Sequence, residues 1–290
     1  MRPGAGGVVL VATPIGNLGD LSPRAVDTLR AADVVCCEDT RRTRALLSAA
    51  GIPGAGRLRS LHAHNEEARI PELVAAAASG RTVAVVSDAG MPAISDPGQR
   101  LVAAAASAGV EVSVVPGPSA VLSALVVSGL PTDRFCVEGF LPRAGGDRRR
   151  RLDALVEDTR TTVVLESPRR LGATLSDLAS RAPERPVAVC RELTKLYEEV
   201  WRGTAAAAAE WFSARAVPGE VVIVVGGAPE PGLARARPPG DRDVAAAVGR
   251  HLAGGASVRD AASAAAKELG VSRRVAYDAA VGVRRSGPAH

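Results

Sequence analysis

The chain has 290 residues, a formal net charge of +5, 47% hydrophobic residues and 2% aromatic residues. This length allows two domains of ordinary size, and no uncharged apolar run approaches the roughly 18 residues of a membrane-spanning helix. The four cysteines lack metal-ligand spacing and the first seven residues lack a signal-peptide pattern. We therefore expect a cytoplasmic protein without a metal site or membrane segment, whose cysteines are small buried residues.

Short apolar runs alternate with helical patterns as far as residue 228, which predicts an α/β fold of two lobes with largely parallel or mixed sheets. The first lobe, residues 1–117, is predicted to contain strands at Val8–Ala12, Val34–Cys37, Thr82–Val86 and Val112–Val115, and helices at Pro23–Ala32, Thr40–Ala50, Glu66–Ser79 and Gly98–Ser107. The second lobe, residues 118–228, is predicted to contain strands at Phe135–Glu138, Thr162–Glu166, Val187–Arg191, Glu198–Arg202 and Val221–Val225, and helices at Ser119–Ser128, Arg148–Glu157, Arg169–Ser180 and Ala205–Arg215.

Three predicted strands of the first lobe run into loops rich in glycine and proline. We call them the first loop (residues 12–22), the second loop (87–98) and the third loop (116–120). Ligands of open α/β sheets bind outside the carboxyl ends of the strands, and such loops let a ligand approach the backbone closely. Three of them in one lobe predict a shared crevice at the strand ends.

Proline and glycine dominate residues 229–241, which we predict to be a linker. A small helical module, residues 242–290, is expected beyond it, with helices at Arg242–Leu252, Val258–Leu269 and Arg273–Val283. Gly270, Val271 and Ser272 resemble the turn of a helix-turn-helix, and a DNA-reading role is the less favoured interpretation of this module.

Arginine accounts for all but two of the 36 basic residues. Because arginine keeps its charge and binds phosphate oxygens bidentately, its clusters favour a polyanionic partner. The low aromatic content argues against base stacking on an aromatic platform and indicates that phosphate contact and shape dominate any binding of nucleic acid. The candidate RNA-binding residues are Arg41, Arg42, Arg143, Arg148, Arg149, Arg150 and Arg151.

Eight segments in sequence order resemble the tetrapyrrole-methylase-like (class III) S-adenosylmethionine methyltransferases, and more closely the branch of that superfamily that methylates small-subunit ribosomal RNA. They are Ala12–Ser22, Cys37–Arg41, His62–Glu66, Ser87–Gly98, Val115–Ala120, Gly139–Arg143, Glu166–Arg170 and Arg191–Lys195. Met91 departs from the threonine that is usual in that family.

The resemblance implies two lobes that hold S-adenosylmethionine between them, a homodimer, and 2′-O-methylation of a cytidine ribose in the decoding region of 16S rRNA in the small ribosomal subunit. It also implies a cofactor pocket formed by residues of both lobes. These residues are Ile15, Gly16, Ser87, Asp88, Met91, Ser119, Ala120, Leu165, Glu166, Arg191, Pro218 and Gly219.

The sequence also limits the cofactor class and offers candidates for a catalytic base. The first loop lacks the third glycine of a dinucleotide-binding fingerprint, which argues against an NAD enzyme. Methyl transfer to a hydroxyl benefits from a base. Among the candidates His62, His64, Glu38, Asp39, Glu66, Asp96 and Lys195, we favour His64 or Glu66 as the catalytic base.

Two other functions stay open at this point. One is methylation of a tetrapyrrole precursor, which requires a pocket for propionate and acetate groups. The other is a non-catalytic nucleic-acid-binding protein that works through the helical module. Truncation after residue 230 separates this last hypothesis from an enzyme, because a binding module would then lose its affinity for nucleic acid.

Overall fold

A computed structural model describes residues 6–53, 56–215, 217–229 and 241–286. The chain divides into two compact units, Met1–Ala228 and Pro229–His290. Most of the predicted linker, residues 230–240, lies outside the described residues. The position of the boundary between the two lobes stays a prediction.

A five-stranded parallel sheet occupies the first half of the larger unit, with strand order β3-β2-β4-β1-β5. Its strands are β1 (Gly7–Val11), β2 (Val34–Cys37), β3 (Leu58–Ser60), β4 (Thr82–Val86) and β5 (Val112–Val115), and its helices are α1 (Pro23–Ala31), α2 (Thr40–Ala49), α3 (Glu66–Ala78) and α4 (Gln99–Ser107). Leu29 and Leu47 cover one face, and Leu73 and Leu101 cover the other. Both faces are therefore buried by helices, which explains the uninterrupted apolar strands.

A second five-stranded sheet has the order β6-β7-β10-β8-β9. Its strands are β6 (Phe135–Phe140), β7 (Thr161–Glu166), β8 (Pro186–Arg191), β9 (Glu199–Thr204) and β10 (Val221–Val225), and the helices of this half are α5 (Ala120–Ser128), α6 (Gly145–Glu157), α7 (Leu171–Arg181) and α8 (Ala205–Phe212). Only β6 and β7 pair in parallel, whereas β7-β10, β10-β8 and β8-β9 are antiparallel. The expected α/β fold is confirmed, and this sheet is the mixed one.

Helix α5 joins the two sheets. Val121 and Leu125 of this helix pack with Val163 and Val222 of the second sheet, and Ile15 of the first loop enters the same cluster. Helices α6, α7 and α8 cover the opposite face. The carboxyl edge of the first sheet is thereby held against the second sheet.

Local signals explain several helix starts. Ser22 accepts a hydrogen bond from the Ala25 amide, with Pro23 at the first helical position of α1. Asp39 caps α2 by accepting from the Arg41 amide, and Ser119 caps α5 by accepting from the Leu122 amide. Each cap satisfies an amide that lacks a partner within its helix.

All four cysteines are free. Cys36, Cys37 and Cys190 are buried, as expected, while Cys136 is half-buried. Cys36 and Cys37 belong to the core clusters of opposite sheet faces. Among the described residues there is no group of metal-ligating side chains, and no described helix has the length and apolar character needed to cross a membrane.

The smaller unit contains α9 (Asp241–Ala253), α10 (Val258–Leu269) and α11 (Arg273–Ser286) around an alanine-rich core. Gly270 ends α10 in the left-handed conformation, and the Ser272 hydroxyl accepts a hydrogen bond from the Val275 amide at the start of α11. The predicted turn therefore separates two helices, and its DNA-reading role stays a hypothesis.

Candidate functional site

The first and second loops are joined by backbone hydrogen bonds at the carboxyl edge of the parallel sheet. The Thr13 amide donates to the Gly90 carbonyl over 3.0 Å, and the Gly90 amide donates to the Thr13 carbonyl over 3.1 Å. The Thr13 hydroxyl donates to the Ser87 carbonyl, and the Ser87 hydroxyl donates to the Gly90 carbonyl. The two loops thus have a mutually fixed path.

Gly90 is the point where all three loops meet. Its φ is +87°, and a Cβ there would lie 3.3 Å from Ile15 Cγ2 of the first loop and 3.5 Å from the Pro118 carbonyl oxygen of the third loop. The left-handed conformation and the close approach both favour glycine. The crevice predicted from the sequence is formed around this residue.

A cavity of about 450 Å³ opens between the loops and the second sheet. We call it the inter-sheet cavity. Eight of the predicted cofactor residues line it: Ile15, Asp88, Met91, Ser119, Ala120, Leu165, Glu166 and Gly219. Its other lining residues include Ile94, Ser95, Asp96, Phe140, Ser167, Pro168, Glu220 and Val222.

A second cavity of about 570 Å³ adjoins the first. It is bounded by the first loop and by α2, and we call it the α2 cavity. Its own lining residues include Pro14, Gly16, Leu18, Thr43, Ala45, Leu46, Ala49, Ser87 and Lys195. Ile15, Arg42, Asp88, Ala89 and Glu220 line both cavities and form their common wall.

Asp88 is held in the common wall by two partners. The Asp39 amide donates to Asp88 Oδ1 over 3.1 Å, and Arg42 Nη1 lies 3.6 Å from Asp88 Oδ2. Asp39 also caps α2. The start of α2 therefore positions the Asp88 carboxylate.

Asp96 is a carboxylic acid of the inter-sheet cavity whose pKa is raised by its surroundings. Burial, with smaller contributions from the Glu38 and Asp88 carboxylates, raises the pKa of Asp96 to about 6. Ala93 and Ser95 beside it have φ of +66° and +62°, a conformation that non-glycine residues adopt at an energetic cost. The second loop thus holds Asp96 at the cavity in a strained backbone segment.

The turn that follows β8 closes the site from the second sheet. Glu192 Oε1 accepts from Lys195 Nζ over 2.9 Å and from the Glu220 amide over 2.8 Å, and Lys195 Nζ also lies 3.1 Å from Glu220 Oε2. A Cβ on Gly16 would lie 2.4 Å from Lys195 Cγ. The first loop therefore touches this turn where residue 16 has no side chain.

Four predicted cofactor residues lie outside the inter-sheet cavity. Gly16 and Ser87 line the α2 cavity instead. The Arg191 guanidinium donates from Nε and Nη2 to Glu199 Oε2, across the β8-β9 pair, and lines neither cavity. Pro218 also lines neither, although Gly219 beside it does.

The Glu166 carboxylate is occupied by protein partners although the residue lines the inter-sheet cavity. Its oxygens accept from the Ser167 amide, from the Thr174 hydroxyl and from Arg170, which lies 2.6 Å away. The residue is 3% exposed. Its side chain therefore fixes the end of β7 and leaves no oxygen free for a ligand.

The structure places both preferred bases outside the two cavities. Glu66 is buried, and its Oε1 accepts from the amides of Gly98, Arg100 and Leu101 over 3.0 to 3.2 Å. It therefore caps α4 from a distance in sequence. His64 is exposed, with its ring centroid 6.0 Å from that of His62.

The arginine cluster on α6 contains one structural member. Arg148 is 8% exposed, and its guanidinium donates to Asp177, to the Thr174 hydroxyl and to the Pro142 carbonyl. The Arg148 donors are therefore used inside the fold, and a contact of Arg148 with RNA stays a prediction that this geometry does not favour. The remaining candidates are exposed: Arg41, Arg42, Arg143, Arg149, Arg150 and Arg151.

Several exposed candidates already have acidic partners. Arg41 pairs with Asp39, Arg150 with Asp147 and Arg151 with Glu138. Exposed pairs of this kind contribute little to stability and exchange readily for other anions.

Sequence reasoning missed the lining residues contributed by Phe140 and by the α2 face. Phe140 is the last residue of β6 and lines the inter-sheet cavity. Four residues of α2 recur at helical spacing, so one face of this helix lines the α2 cavity: Arg42, Ala45, Leu46 and Ala49. This spacing along α2 was the one signal in the sequence that could have predicted these lining residues.

Comparison with known proteins bears on this geometry. Residues 7–209 match the family described as Tetrapyrrole (Corrin/Porphyrin) Methylases. The chain is 49% identical over 290 residues to Ribosomal RNA small subunit methyltransferase I of Mycobacterium tuberculosis (strain CDC 1551 / Oshkosh), covering 98% of this chain and 99% of that protein. A protein of the same name from Thermotoga maritima is 46% identical over 222 residues, covering 77% of this chain and 99% of that one.

Solved structures share the fold. A uroporphyrin-III-C-methyltransferase from Thermus thermophilus has a TM-score of 0.54 and 26% identity, covering 76% of this chain and 94% of that chain. The methyltransferase CobJ has a TM-score of 0.57 and 21% identity, covering 77% and 95%. The family match over most of the chain and the near-full-length relatives confirm the resemblance seen in the sequence, and the chain belongs to the tetrapyrrole methylase family, in its ribosomal RNA small subunit methyltransferase I branch.

Proposed function

We propose that this chain is an S-adenosylmethionine-dependent methyltransferase that methylates the 2′-hydroxyl of a cytidine ribose in the decoding region of 16S rRNA. The observation that carries the proposal is the inter-sheet cavity, which three loops of one sheet and the strand ends of another enclose. The names of the relatives that share about half of their residues with this chain support small-subunit rRNA as the substrate. A ribosomal substrate places the activity in the cytoplasm.

The inter-sheet cavity suits the methyl donor. Its volume of about 450 Å³ lies within the range of small-molecule sites. Apolar side chains such as Ile15 and Leu165 surround two carboxylates, Asp88 and Asp96, which favour a sulfonium cation. The donor has no phosphate, so no phosphate-binding loop is needed. A uroporphyrin-III C-methyl transferase from Thermus thermophilus, which shares the fold, has a crystal structure in complex with S-adenyl homocysteine.

Bound in this cavity, the donor supplies an electrophilic methyl group attached to sulfur. The chain's task is then to align the acceptor hydroxyl and to exclude water. Asp88 is positioned for this by the Asp39 amide and Arg42, and it lies in the wall that both cavities share.

We assign acceptance of the hydroxyl proton to Asp96, in place of His64 and Glu66. Asp96 lines the cavity, whereas Glu66 is used by three amides and His64 is exposed outside the cavities. Since burial raises the pKa of this carboxyl to about 6, it is ionised near neutral pH yet more basic than an ordinary aspartate.

Exposed arginines give the RNA-binding surface in this proposal. Arg42 lines both cavities, and Arg41 precedes it on α2. Arg143, Arg149, Arg150 and Arg151 lie before or on α6. Their charges are suited to phosphate contacts.

We also propose a homodimer. Exposed apolar side chains are frequent between residues 114 and 140, at Val114, Leu122, Val126, Phe135, Val137 and Phe140. Strands β5 and β6 are both sheet edges, each paired on one side only. A second copy of the chain would cover this surface, as exposed apolar surface of this kind often indicates.

The test is transfer of labelled methyl groups to small ribosomal subunits from a strain that lacks the modification. We expect 2′-O-methylcytidine after nuclease digestion, and a loss of about tenfold or more in kcat/KM with Asp88→Ala. The control is Asp27→Ala, at an exposed carboxylate of α1. Label in a base, or no label at all, would contradict the proposal.

A further inference from the structure

The donor site leaves the α2 cavity without a use. The α2 cavity is similar in size to the donor site, about 570 Å³ against about 450 Å³. The two adjoin at Ile15, Asp88 and Ala89, which line both cavities. A group bound in the α2 cavity therefore lies next to the donor site at these residues.

The lining of the α2 cavity has the chemistry of a nucleotide site. Pro14, Leu18, Leu46 and Ala49 give apolar surface against which a base can lie. Arg42 and Lys195 bring cationic groups, and the Arg42 side chain is 66% exposed, which leaves it accessible to a phosphate. Lys195 is less exposed and is held by Glu192 and Glu220 at 2.9 and 3.1 Å. Arg42 has a looser partner, Asp88 at 3.6 Å, so Arg42 is the more available phosphate ligand.

Leu196 and Tyr197 are 88% and 72% exposed. They follow directly on Lys195, which lines the α2 cavity. Thr194 of the same turn has φ of +67°, and Glu192 has φ of +51°. The exposed Tyr197 ring is accessible for stacking, and unpaired RNA bases stack on aromatic rings.

We propose that the α2 cavity holds the target nucleotide, turned out of the RNA stack, with its base against Leu18, Leu46 and Ala49. Its ribose hydroxyl then reaches past Asp88 into the inter-sheet cavity, where the donor methyl group and Asp96 lie, and Tyr197 stacks on an adjacent base of the RNA. Enzymes that modify a stacked nucleotide extrude it into a pocket in this way. This assignment rests on the proposed function and names the substrate pocket for it.

Filling the α2 cavity tests the assignment. Ala49 is exposed on the face of α2 that lines the cavity, and Ala49→Trp places an indole there without disturbing a buried residue. Ser48→Trp is the matched control, because Ser48 is exposed on the same helix about 100° away and lines neither cavity. Titration with S-adenosylhomocysteine measures the donor site, and labelled transfer to small subunits measures the acceptor site.

We expect Ala49→Trp to lower kcat/KM for subunits by about tenfold or more while the S-adenosylhomocysteine Kd stays within about twofold of wild type. Ser48→Trp is expected to match wild type in both. Wild-type activity of Ala49→Trp would overturn the assignment, and so would a Kd for S-adenosylhomocysteine raised well beyond twofold of the wild-type value. No transfer by the wild-type chain would overturn the proposed function itself, so the two failures are distinguishable.

Tyr197 gives a second variant that does not depend on filling a cavity. Tyr197→Ala is expected to raise KM for subunits by about tenfold with kcat changed less, and Tyr197→Phe to restore it, because stacking needs only the ring. Equal KM values for Tyr197→Ala and wild type would overturn the stacking role.

Discussion

Asp88 and Asp96 lie in one cavity but differ in environment. Asp88 accepts a backbone hydrogen bond and lies near Arg42, whereas Asp96 is desolvated and faces the Glu38 and Asp88 carboxylates. Two carboxylates in contrasting surroundings are suited to different tasks. In the proposed reaction, Asp88 orients the acceptor and Asp96 accepts the proton.

Asp96→Asn is predicted to reduce methyl transfer and to increase stability. The pKa of Asp96 rises from 3.8 to about 6 on folding, so the folded chain holds this proton more tightly than the unfolded chain. The protonated Asp96 carboxyl therefore favours the folded chain at low pH, and this contribution to the free energy of unfolding is lost as pH rises from about 4 to about 6. Allowing for partial exposure, we expect Asn to raise the free energy of unfolding at pH 7.5 by about 1 kcal/mol.

The measurements for Asp96 are urea unfolding at pH 4 and pH 7.5, and the pH profile of kcat. The wild-type rate should fall below about pH 6 as the carboxylate takes up its proton. A stable variant with the wild-type pH profile would show that another group accepts the proton. Asp27→Asn serves as the exposed control.

At the scale of elements, α4 depends on a carboxylate supplied by α3. Glu66 accepts three amides at the start of α4, where a helix has no internal acceptors and carries partial positive charge. The second loop ends at this point. Glu66 therefore fixes the far end of the loop that carries Asp88 and Asp96.

Glu66→Ala is predicted to destabilise the chain by about 2–3 kcal/mol, because it leaves buried amides without acceptors. Glu66→Gln keeps an acceptor oxygen and should lose about half as much. Unfolding in urea measures both, with Glu67→Ala as the exposed neighbour for control. A Glu66→Gln chain of native stability that cannot methylate would instead restore Glu66 as the base.

Neighbouring arginines of α6 have different environments, because Arg148 faces the interior and Arg149 faces solvent. Arg148→Ala should lower the free energy of unfolding by about 2 kcal/mol, since it removes the donors to Asp177 and Thr174. Arg149→Ala should leave stability unchanged and reduce the salt dependence of subunit binding by about one phosphate contact. Filter binding across a salt series and urea unfolding check the pair. The reverse pattern would contradict this division.

The apolar periodicity of the sequence predicted nine of the ten strands found in the described residues, because most of these strands are rich in β-branched residues. Strand β3 (Leu58–Ser60) was missed, since it is short and its middle residue, Arg59, is exposed. The three loops were predicted from glycine and proline. The cap by Glu66 and the burial of Arg148 were not, because their partners lie 32 and 29 residues away and leave no local pattern.

At the scale of the whole molecule, the proposed homodimer covers the apolar surface between residues 114 and 140. Val126 of this surface is 67% exposed, so Val126→Glu places a charge there without disturbing the core. We predict that sedimentation will show a dimer for wild type and a monomer for the variant. Val275→Glu, at an exposed residue of the helical unit, is the control and should stay dimeric. A monomeric wild type would contradict the proposal.

The proposed reaction requires that the methyl donor binds between the two sheets. A crystal structure of the chain with S-adenosylhomocysteine tests this most directly. We predict density in the inter-sheet cavity, in contact with Asp88, Met91 and Ala120, with the sulfur directed at the wall shared with the α2 cavity. Density for the ligand at any other place, with the inter-sheet cavity empty, would contradict the account.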